Sequence, residues 1–410
     1  MFKIYLSHSL KLHKHINPSL RKLTTLAIMS KKGDTYNNEP FGQPKRRAKR
    51  TFLGALFVIL LLAVTISLSV ALVIAYLTPY VPPATFGSLT IVGIFAPILY
   101  MGVAVCMLLW LVTGRWKSAG IVALFLIPGL FRVSDFYNVD FIRKVESKPD
   151  KRTITILTHN IRGFRDDSNN NVVDGYVDYY AALEDVDVVC IQEYTRNIRG
   201  VERIDSLFDA RFERGGMREV VEGGEVVLRT YSVYPIIASG DISGKGRGTS
   251  QWVDILVNKS DTVRIFNNHL HTMSISADDS EDIEQGRILQ DGDRMLSIVN
   301  RIANNSSIRA DYVDTLRMVI EATPHERIIC GDFNDTPMSY VYGELVKNHK
   351  DAFVECGSGY GYTFRPMYNT LRIDYILHSE GMTSQGYAVD VDMTLSDHLP
   401  VRADIKLPTK

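Results

Sequence analysis

Six short segments of the sequence pair a run of apolar residues with side chains that bind metals, phosphates or protons. Asn160 closes "TITILTHN", Glu193 closes "VVCIQE", and His269 and His271 close "RIFNNHLH". Asp332, Asn334 and Asp335 close "RIICGDFND", Asp374 sits inside "RIDYIL", and Asp397 and His398 precede "LPVRADI". These residue types suit the cleavage of a phosphate ester, which resists attack because it is anionic. A divalent cation with imidazole and carboxamide donors offsets charge on the phosphoryl oxygens. A carboxylate held against water supplies the nucleophile. An Asp–His pair fixes the imidazole tautomer and favours its protonated form. Each segment alone has a plainer explanation, since Asn and Asp after a strand commonly form turns. The pair His269-x-His271 places both rings on one face of a strand, as a metal pair would need. Without a third His or Cys in ligand spacing, zinc is the weaker choice. The oxygen-rich set of Asn160, Glu193 and Asp397 better suits a hard ion, Mg²⁺ with Mn²⁺ as the alternative.

The elements that must position these groups are legible as alternating short apolar and longer amphipathic runs. "TITILTHNI" has the β-branched richness of a strand buried on both faces. "VDYYAALEDV" reads as a helix and "DVDVVCIQE" as the next strand. "QWVDILVN" and "TVRIFNNHLHT", joined by "KSD", read as a hairpin-like pair. A long polar helical region follows at about 280–322, then "RIICGDFN" as a strand and "MSYVYGELVKN" as a helix. "RIDYILHS" and "LSDHLPVRADIKL" supply the closing strands. This mixture predicts an α/β protein with considerable antiparallel pairing.

The first third of the chain is different in kind. Residues 1–140 hold 15 Lys+Arg and 4 Asp+Glu, a net of +11, and residues 141–410 hold 31 and 42, a net of −11. Residues 51–114 contain no charged side chain and form two apolar runs, each longer than the roughly 20 residues that cross a bilayer. A third run, "SAGIVALFLIPGLF", has 14 residues, about 21 Å of helix against a hydrocarbon core about 30 Å thick. Snorkelling by Lys117 and Arg132, with Phe131, Phe136 and Tyr137 at the interface, extends its reach. The expected organisation is a basic, unstructured cytoplasmic segment 1–50 and a transmembrane region 51–135 with two to three helices, about 52–77, 88–113 and 118–134. A linker 136–150 and a soluble domain 151–408 complete it. "KRRAKR" before the first run, with Arg115 and Lys117 after the second, orients these ends to the cytoplasm. Three crossings then place the soluble domain outside the cytoplasm. The four cysteines show no disulfide or zinc spacing and read as buried thiols.

Taken in order, "THNIRGF", "CIQE", "NHLH", "GDFNDTP", "RIDYIL" and "SDHLPV" resemble the motifs of the endonuclease/exonuclease/phosphatase superfamily. Its members include deoxyribonucleases, abasic-site endonucleases, inositol polyphosphate 5-phosphatases and neutral sphingomyelinases. The resemblance covers about residues 150–408. It implies a four-layered αββα sandwich of two mixed β-sheets, here preceded by the helical transmembrane region. It also implies roles, residue by residue. Glu193 matches the principal metal carboxylate and Asn160 the residue beside it. Asp332 matches the Asp that orients or deprotonates water, and Asn334 the Asn that holds a phosphate oxygen. Asp397 and His398 match a terminal pair, the Asp helping to ligate metal and the His contacting phosphate. Asp374 matches the Asp that orients this His. His269 matches a phosphoryl donor, with His271 as the alternative, and Asp335 becomes a turn or supporting residue.

The expected function is metal-dependent hydrolysis of a phosphodiester or phosphomonoester. Membrane attachment favours a lipid head group as substrate. A nuclease is the second reading, disfavoured because a net charge of −11 is poorly suited to a polyphosphate backbone. A non-catalytic, membrane-anchored binding protein is the third, and intact Asp332 and His398 argue against it. The aromatic-rich segment 357–368 is a candidate substrate-side loop.

Overall fold

A computed structural model gives the structure of residues 52–139, 152–166, 168–183, 185–243 and 248–409. The expected basic segment 1–50 and residues 140–150 of the expected linker lie outside the described residues. The chain divides into two compact units, Met1–Val58 and Ile59–Lys410. Of the first, only the start of helix α1 (Phe52–Leu77) is described.

Two six-stranded mixed sheets form the centre of the second unit. One sheet has the order β13 (Thr383–Val389), β14 (Val401–Lys406), β2 (Thr153–Asn160), β3 (Val188–Thr195), β5 (Val226–Ser232), β4 (Gly216–Gly223). The other runs β10 (His349–Asp351), β12 (Asp374–Ser379), β9 (Glu326–Asp332), β8 (Thr262–Leu270), β7 (Gly248–Leu256), β6 (Ile236–Ser243). The β7–β8 hairpin predicted from sequence is present, as nine residue pairs from Gly248↔Leu270 to Leu256↔Thr262.

Side-chain alternation along the strands explains the layering. Ile154, Ile156, Val188, Cys190, Ile265, Ile328, Cys330, Ile376 and Val401 are buried in one cluster between the sheets. Leu157, Val189 and Ile191 point the other way, against Tyr176 and Tyr180 of α6 (Val173–Ala182) and Ile204 and Phe208 of α7 (Val201–Phe212). On the outer face of the second sheet, Phe266, Ile329 and Tyr375 pack on Val313, Leu316 and Ile320 of α9 (Gly292–Glu321) and Val341 and Leu345 of α10 (Tyr340–Val346). At their central strands both sheets therefore bury both faces, and the four-layered sandwich follows. The expected helical region at 280–322 is split. A capped helix α8 (Ala277–Glu284) with a Ser276–Asp279 capping box precedes α9.

The apolar region departs from the expected helix boundaries. The first run is one helix, α1, with 26 residues. The second, expected as one helix over 88–113, breaks at Phe95 into α3 (Leu89–Ile94) and α4 (Ala96–Val112), after a short helix α2 (Pro83–Phe86). Pro97 causes the break, because it offers no N–H to the carbonyl of Gly93. The third run forms α5 (Trp116–Leu130) rather than 118–134, with Pro128 near its end. Among the described residues, one helix is long and apolar enough to cross a membrane. Residues 137–139 also depart from a bare linker. Strand β1 (Tyr137–Asn138) pairs with β11 (Gly359–Tyr360), and the Asn138 side-chain amide donates to the carbonyls of Phe353 and Val354.

Candidate active site

Strand register brings the chemistry together. In the second sheet His269 of β8 lies opposite Asp332 of β9, and Asp374 of β12 lies opposite the same Asp332 on its other side. In the first sheet Asn160 ends β2 beside Gln192 of β3, which places Glu193 next to it. These strand ends border one cavity of about 470 Å³. Its lining includes Arg162, Glu193, Glu222, His269, His271, Asp332, Asn334, Phe364, Asp397 and His398.

Asp332 is the centre of the cluster and is buried. Its Oδ2 is 3.7 Å from Nε2 of His269 and 3.7 Å from Nε2 of His398. Each imidazole is backed by a carboxylate on its other nitrogen. His398 Nδ1 is 3.0 Å from Asp374 Oδ2, and His269 Nδ1 is 2.6 Å from Glu222 Oε1. The Asn160 amide donates to Asp332 Oδ2 and to Glu193 Oε1, both at 3.1 Å. The Asn334 amide donates to Asp332 Oδ2 at 2.9 Å and to the Leu270 carbonyl at 3.1 Å. Asp397 lies 3.6 Å from the Arg162 guanidinium at the same cavity.

The electrostatics follow from burial and these pairings. Burial pushes the Asp332 carboxyl up to about 6, against the opposing pull of His398 and His269. Burial alone would discharge His269, but Glu222, Glu193 and Asp332 outweigh it and raise its pKa to about 10. The same contest at His398, won by Asp374 and Asp332, holds it well above the ordinary imidazole value. The carboxylates around the two imidazoles thus favour their protonated forms on either side of Asp332.

Local backbone features aim these side chains. Glu193 has φ 54° and Asn334 φ 50°, both in the left-handed region, and such conformations collect at functional sites. Gly331 has φ 126°, and a Cβ there would lie 2.0 Å from the Asn268 carbonyl oxygen, so only glycine lets β9 approach β8 before Asp332. Two register shifts flank β5, at 191–194 in β3 and at 221–223 in β4. Each extra residue turns a side chain toward the site, Glu193 in one case and Glu222 in the other.

Glu193, His269, His271, Asp332, Asn334, Asp397 and His398 line the cavity, and Asn160 and Asp374 bond to residues that do. Asp335 is set apart: its carboxylate pairs at 3.2 Å with the buried Arg309 of α9, and burial raises its pKa. Arg309 also donates to the carbonyls of His271 and Thr272, tying the exit of β8 to the Asp335 turn. Of the two histidines, His269 reaches the carboxylates; His271 lies past the end of β8 and lines the cavity. Sequence reasoning missed Glu222, Arg162 and Arg309. From the aromatic-rich loop, Phe364 lines the cavity with its ring centre 4.9 Å from that of His398.

The donor set around the cavity is rich in oxygen. Carboxylates of Glu193, Asp332 and Asp397 line it and the Asn160 carboxamide joins the first two, the composition a hard divalent cation takes. Ligand atoms of Asp332, Asp374 and His398 also lie within 4.8 Å of one another.

Residues 157–398 match the Endonuclease/Exonuclease/phosphatase family. The chain belongs to this family, whose members hydrolyse phosphoester bonds. Residues 54–136 match a domain of unknown function (DUF8431). Similar solved structures include an endonuclease/exonuclease/phosphatase from Bacteroides vulgatus, 18% identical with a TM-score of 0.44, covering 62% of this chain and 99% of that one. A humanized D. rerio TDP2 is 16% identical with a TM-score of 0.43, covering 62% and 99%. The human Nocturnin catalytic domain with bound sulfate is 16% identical with a TM-score of 0.40, covering 64% and 99%. No curated protein matches the chain.

Proposed function

We propose that the protein is a membrane-anchored, divalent-metal-dependent phosphoesterase, with residues 151–408 as its catalytic domain. The observation that carries this reading is the placement of buried Asp332 between two imidazoles, each backed by its own carboxylate. A Mg²⁺ or Mn²⁺ ion, when bound, supplies charge neutralisation at the phosphoryl oxygens. Glu193, Asn160 and Asp397 are the residues to hold it. Asp332 orients a water and takes its proton as the water attacks phosphorus, while the ester P–O bond on the opposite side breaks and the departing alkoxide takes up a proton to leave as the alcohol. His269 and His398, both protonated, donate to phosphoryl oxygens and stabilise the pentacovalent transition state. Glu222 and Asp374 hold those imidazoles in orientation and charge. Asn334 holds a phosphoryl oxygen or the Asp332 carboxylate.

A lipid head group is the favoured substrate. Met273, Ile275, Phe364 and Ile373 line one wall of the cavity and belong to the same apolar cluster as Ile91 and Ile94 of α3. A buried apolar cluster therefore links the cavity wall to α3 at the start of the second apolar run, which supports an amphiphilic substrate. Anchoring is supported by exposed apolar stripes: Ile98, Met101, Val105, Leu108 and Val112 on α4, and Ile121, Leu124 and Phe131 on and after α5.

The test is turnover of bis(p-nitrophenyl) phosphate by the full chain in detergent. Activity is expected with Mg²⁺ or Mn²⁺ and not with EDTA. Asp332→Ala should lower kcat by about 10²–10⁴-fold, the usual worth of a positioned general base. A wild type inactive with every divalent ion and phosphoester would leave a binding protein as the better reading. A panel of lipid, inositol phosphate and DNA phosphoesters then separates the lipid reading from the nuclease one.

A further inference from the structure

The apolar helical region holds the catalytic turn itself. After Asp332 the chain runs through Phe333, Asn334, Asp335, Thr336 and Pro337 to Met338, just before the Ser339 cap of α10. The far end of this turn is gripped by residues from the other side of the chain. The Thr78 hydroxyl, buried just after α1, lies 2.6 Å from the Met338 carbonyl oxygen and 2.7 Å from the Ala75 carbonyl oxygen, and so shares its proton between the two. Gly93 of α3 packs against the same carbonyl so closely that a Cβ there would sit 2.2 Å from it. Arg132, after α5, donates to the Pro337 carbonyl at 2.9 Å, while its Nε pairs with Asp135 at 2.8 Å. The Met338 side chain is buried with Ala75 and Ala96. The Asp135 carbonyl in turn accepts two hydrogen bonds from buried Arg372, two residues before Asp374.

Such contacts exceed what a tether needs. A linker that only keeps an enzyme near a bilayer has no reason to seat a glycine on one catalytic-turn carbonyl and a guanidinium on the next. We infer that residues 78–132 form part of the active-site scaffold, with Thr78, Gly93 and Arg132 as positioning residues. They fix the backbone of Pro337–Met338 and, through a six-residue turn, the carboxylate of Asp332 and the amide of Asn334. The inference rests on the phosphoesterase reading for its kinetic consequence and not for the mechanical link. Seating this turn matters because a displacement of about 1 Å at a catalytic group costs on the order of 10²-fold in rate.

The experiment uses the full chain in detergent with two readouts. Thr78→Val keeps the side-chain volume and removes the donor; Gly93→Ala forces α3 away from Met338. Thr113→Val, which removes a hydroxyl bonded to the Trp110 carbonyl within the same apolar region, is the control. Hydrogen–deuterium exchange across 333–339 should quicken roughly two- to tenfold in Thr78→Val, the factor that one lost hydrogen bond carries, and stay unchanged in Thr113→Val. With bis(p-nitrophenyl) phosphate and Mg²⁺, kcat should fall about 10-fold in Thr78→Val and Gly93→Ala with KM within twofold. Thr78→Ser should restore it. Unchanged exchange at 333–339, or faster exchange with wild-type kcat, would overturn the inference. Equal effects in Thr113→Val would also overturn it, by exposing a general loosening. A wild type without turnover would defeat the phosphoesterase reading and leave the exchange data to judge the link.

Discussion

Asp332 is useful because its neighbours pull in opposite directions. Burial favours its protonated form, and the two imidazolium groups favour the carboxylate. In the proposed mechanism Asp332 is the base and must be ionised, so activity should fall on the acid side through a pH of about 6 or below, since a nearby cation can only lower a carboxyl pKa. The alkaline limb belongs to the imidazoles. His269 is held at about 10 chiefly against burial by Glu222. Glu222→Gln removes that negative charge, so the His269 pKa falls and its proton is lost at lower pH. The expected result is an alkaline limb of kcat/KM displaced toward neutrality and a kcat lowered by about 10-fold or more. A pH–rate profile from 5 to 10.5 would show it; an alkaline limb that stays in place would mean that Glu222 does not set the charge of His269. This residue also shows where sequence reading stops. "EVVEGGEVV" carries no motif around Glu222, which reaches the site through strand order and a bulge. The family motifs, by contrast, made Asp332, Asp374 and His398 legible, because each lies at a strand end whose apolar run is itself legible.

At the scale of elements, the strands and most helices could be read from β-branched runs and amphipathic periods. What could not be read was contact between distant elements. Asp335 illustrates this. In sequence it is one of three polar residues on a turn; in the structure it is buried against Arg309, 26 positions earlier on α9. The pair joins α9, the Asp332 turn and the exit of β8 at His271–Thr272. Removing one partner leaves the other charge buried without compensation, so Asp335→Ala should destabilise the protein by about 3–5 kcal/mol. Arg309→Met should cost a similar amount, and the double variant clearly less than the sum, because no orphaned charge remains. Thermal or denaturant unfolding of the full chain checks this cycle. Strict additivity would show that the pair is not coupled. The Pro97 break is the converse case: the proline was visible, but the weight of apolar residues around it favoured one long helix, and backbone hydrogen bonding decided otherwise.

At the scale of the whole molecule, the contacts made by the apolar region bear on its topology. Thr78 and Gly93 precede α4, Arg132 follows α5, and all three hold the same Pro337–Met338 backbone. Between Gly93 and Arg132 the chain runs away from the Pro337–Met338 turn and returns to it through two apolar helices of 17 and 15 residues. Those helices are about 25 and 22 Å long, so they cross a core of about 30 Å only with thinning or snorkelling at their ends. Arg115 and Lys117 stand at the turn between them, at the end away from Gly93 and Arg132. If the hairpin crosses, basic residues of this turn lie opposite the catalytic domain, and the positive-inside rule puts the catalytic domain outside the cytoplasm. If α1 crosses as well, the basic run 45–50 that precedes it in sequence gives the same orientation by the same rule. Reporter fusions in a bacterial inner membrane test this. A phosphatase at the C-terminus should be active and a fluorescent protein there dark, whereas a fluorescent protein inserted at Gly114 should glow. Reversing charge with Arg115→Glu and Lys117→Glu together should lower the share of chains in that orientation, because the turn then loses its hold on the cytoplasmic face. A fluorescent C-terminus in the wild type would mean that the hairpin does not cross, and that α4 and α5 lie along the membrane surface beside a cytoplasmic catalytic domain.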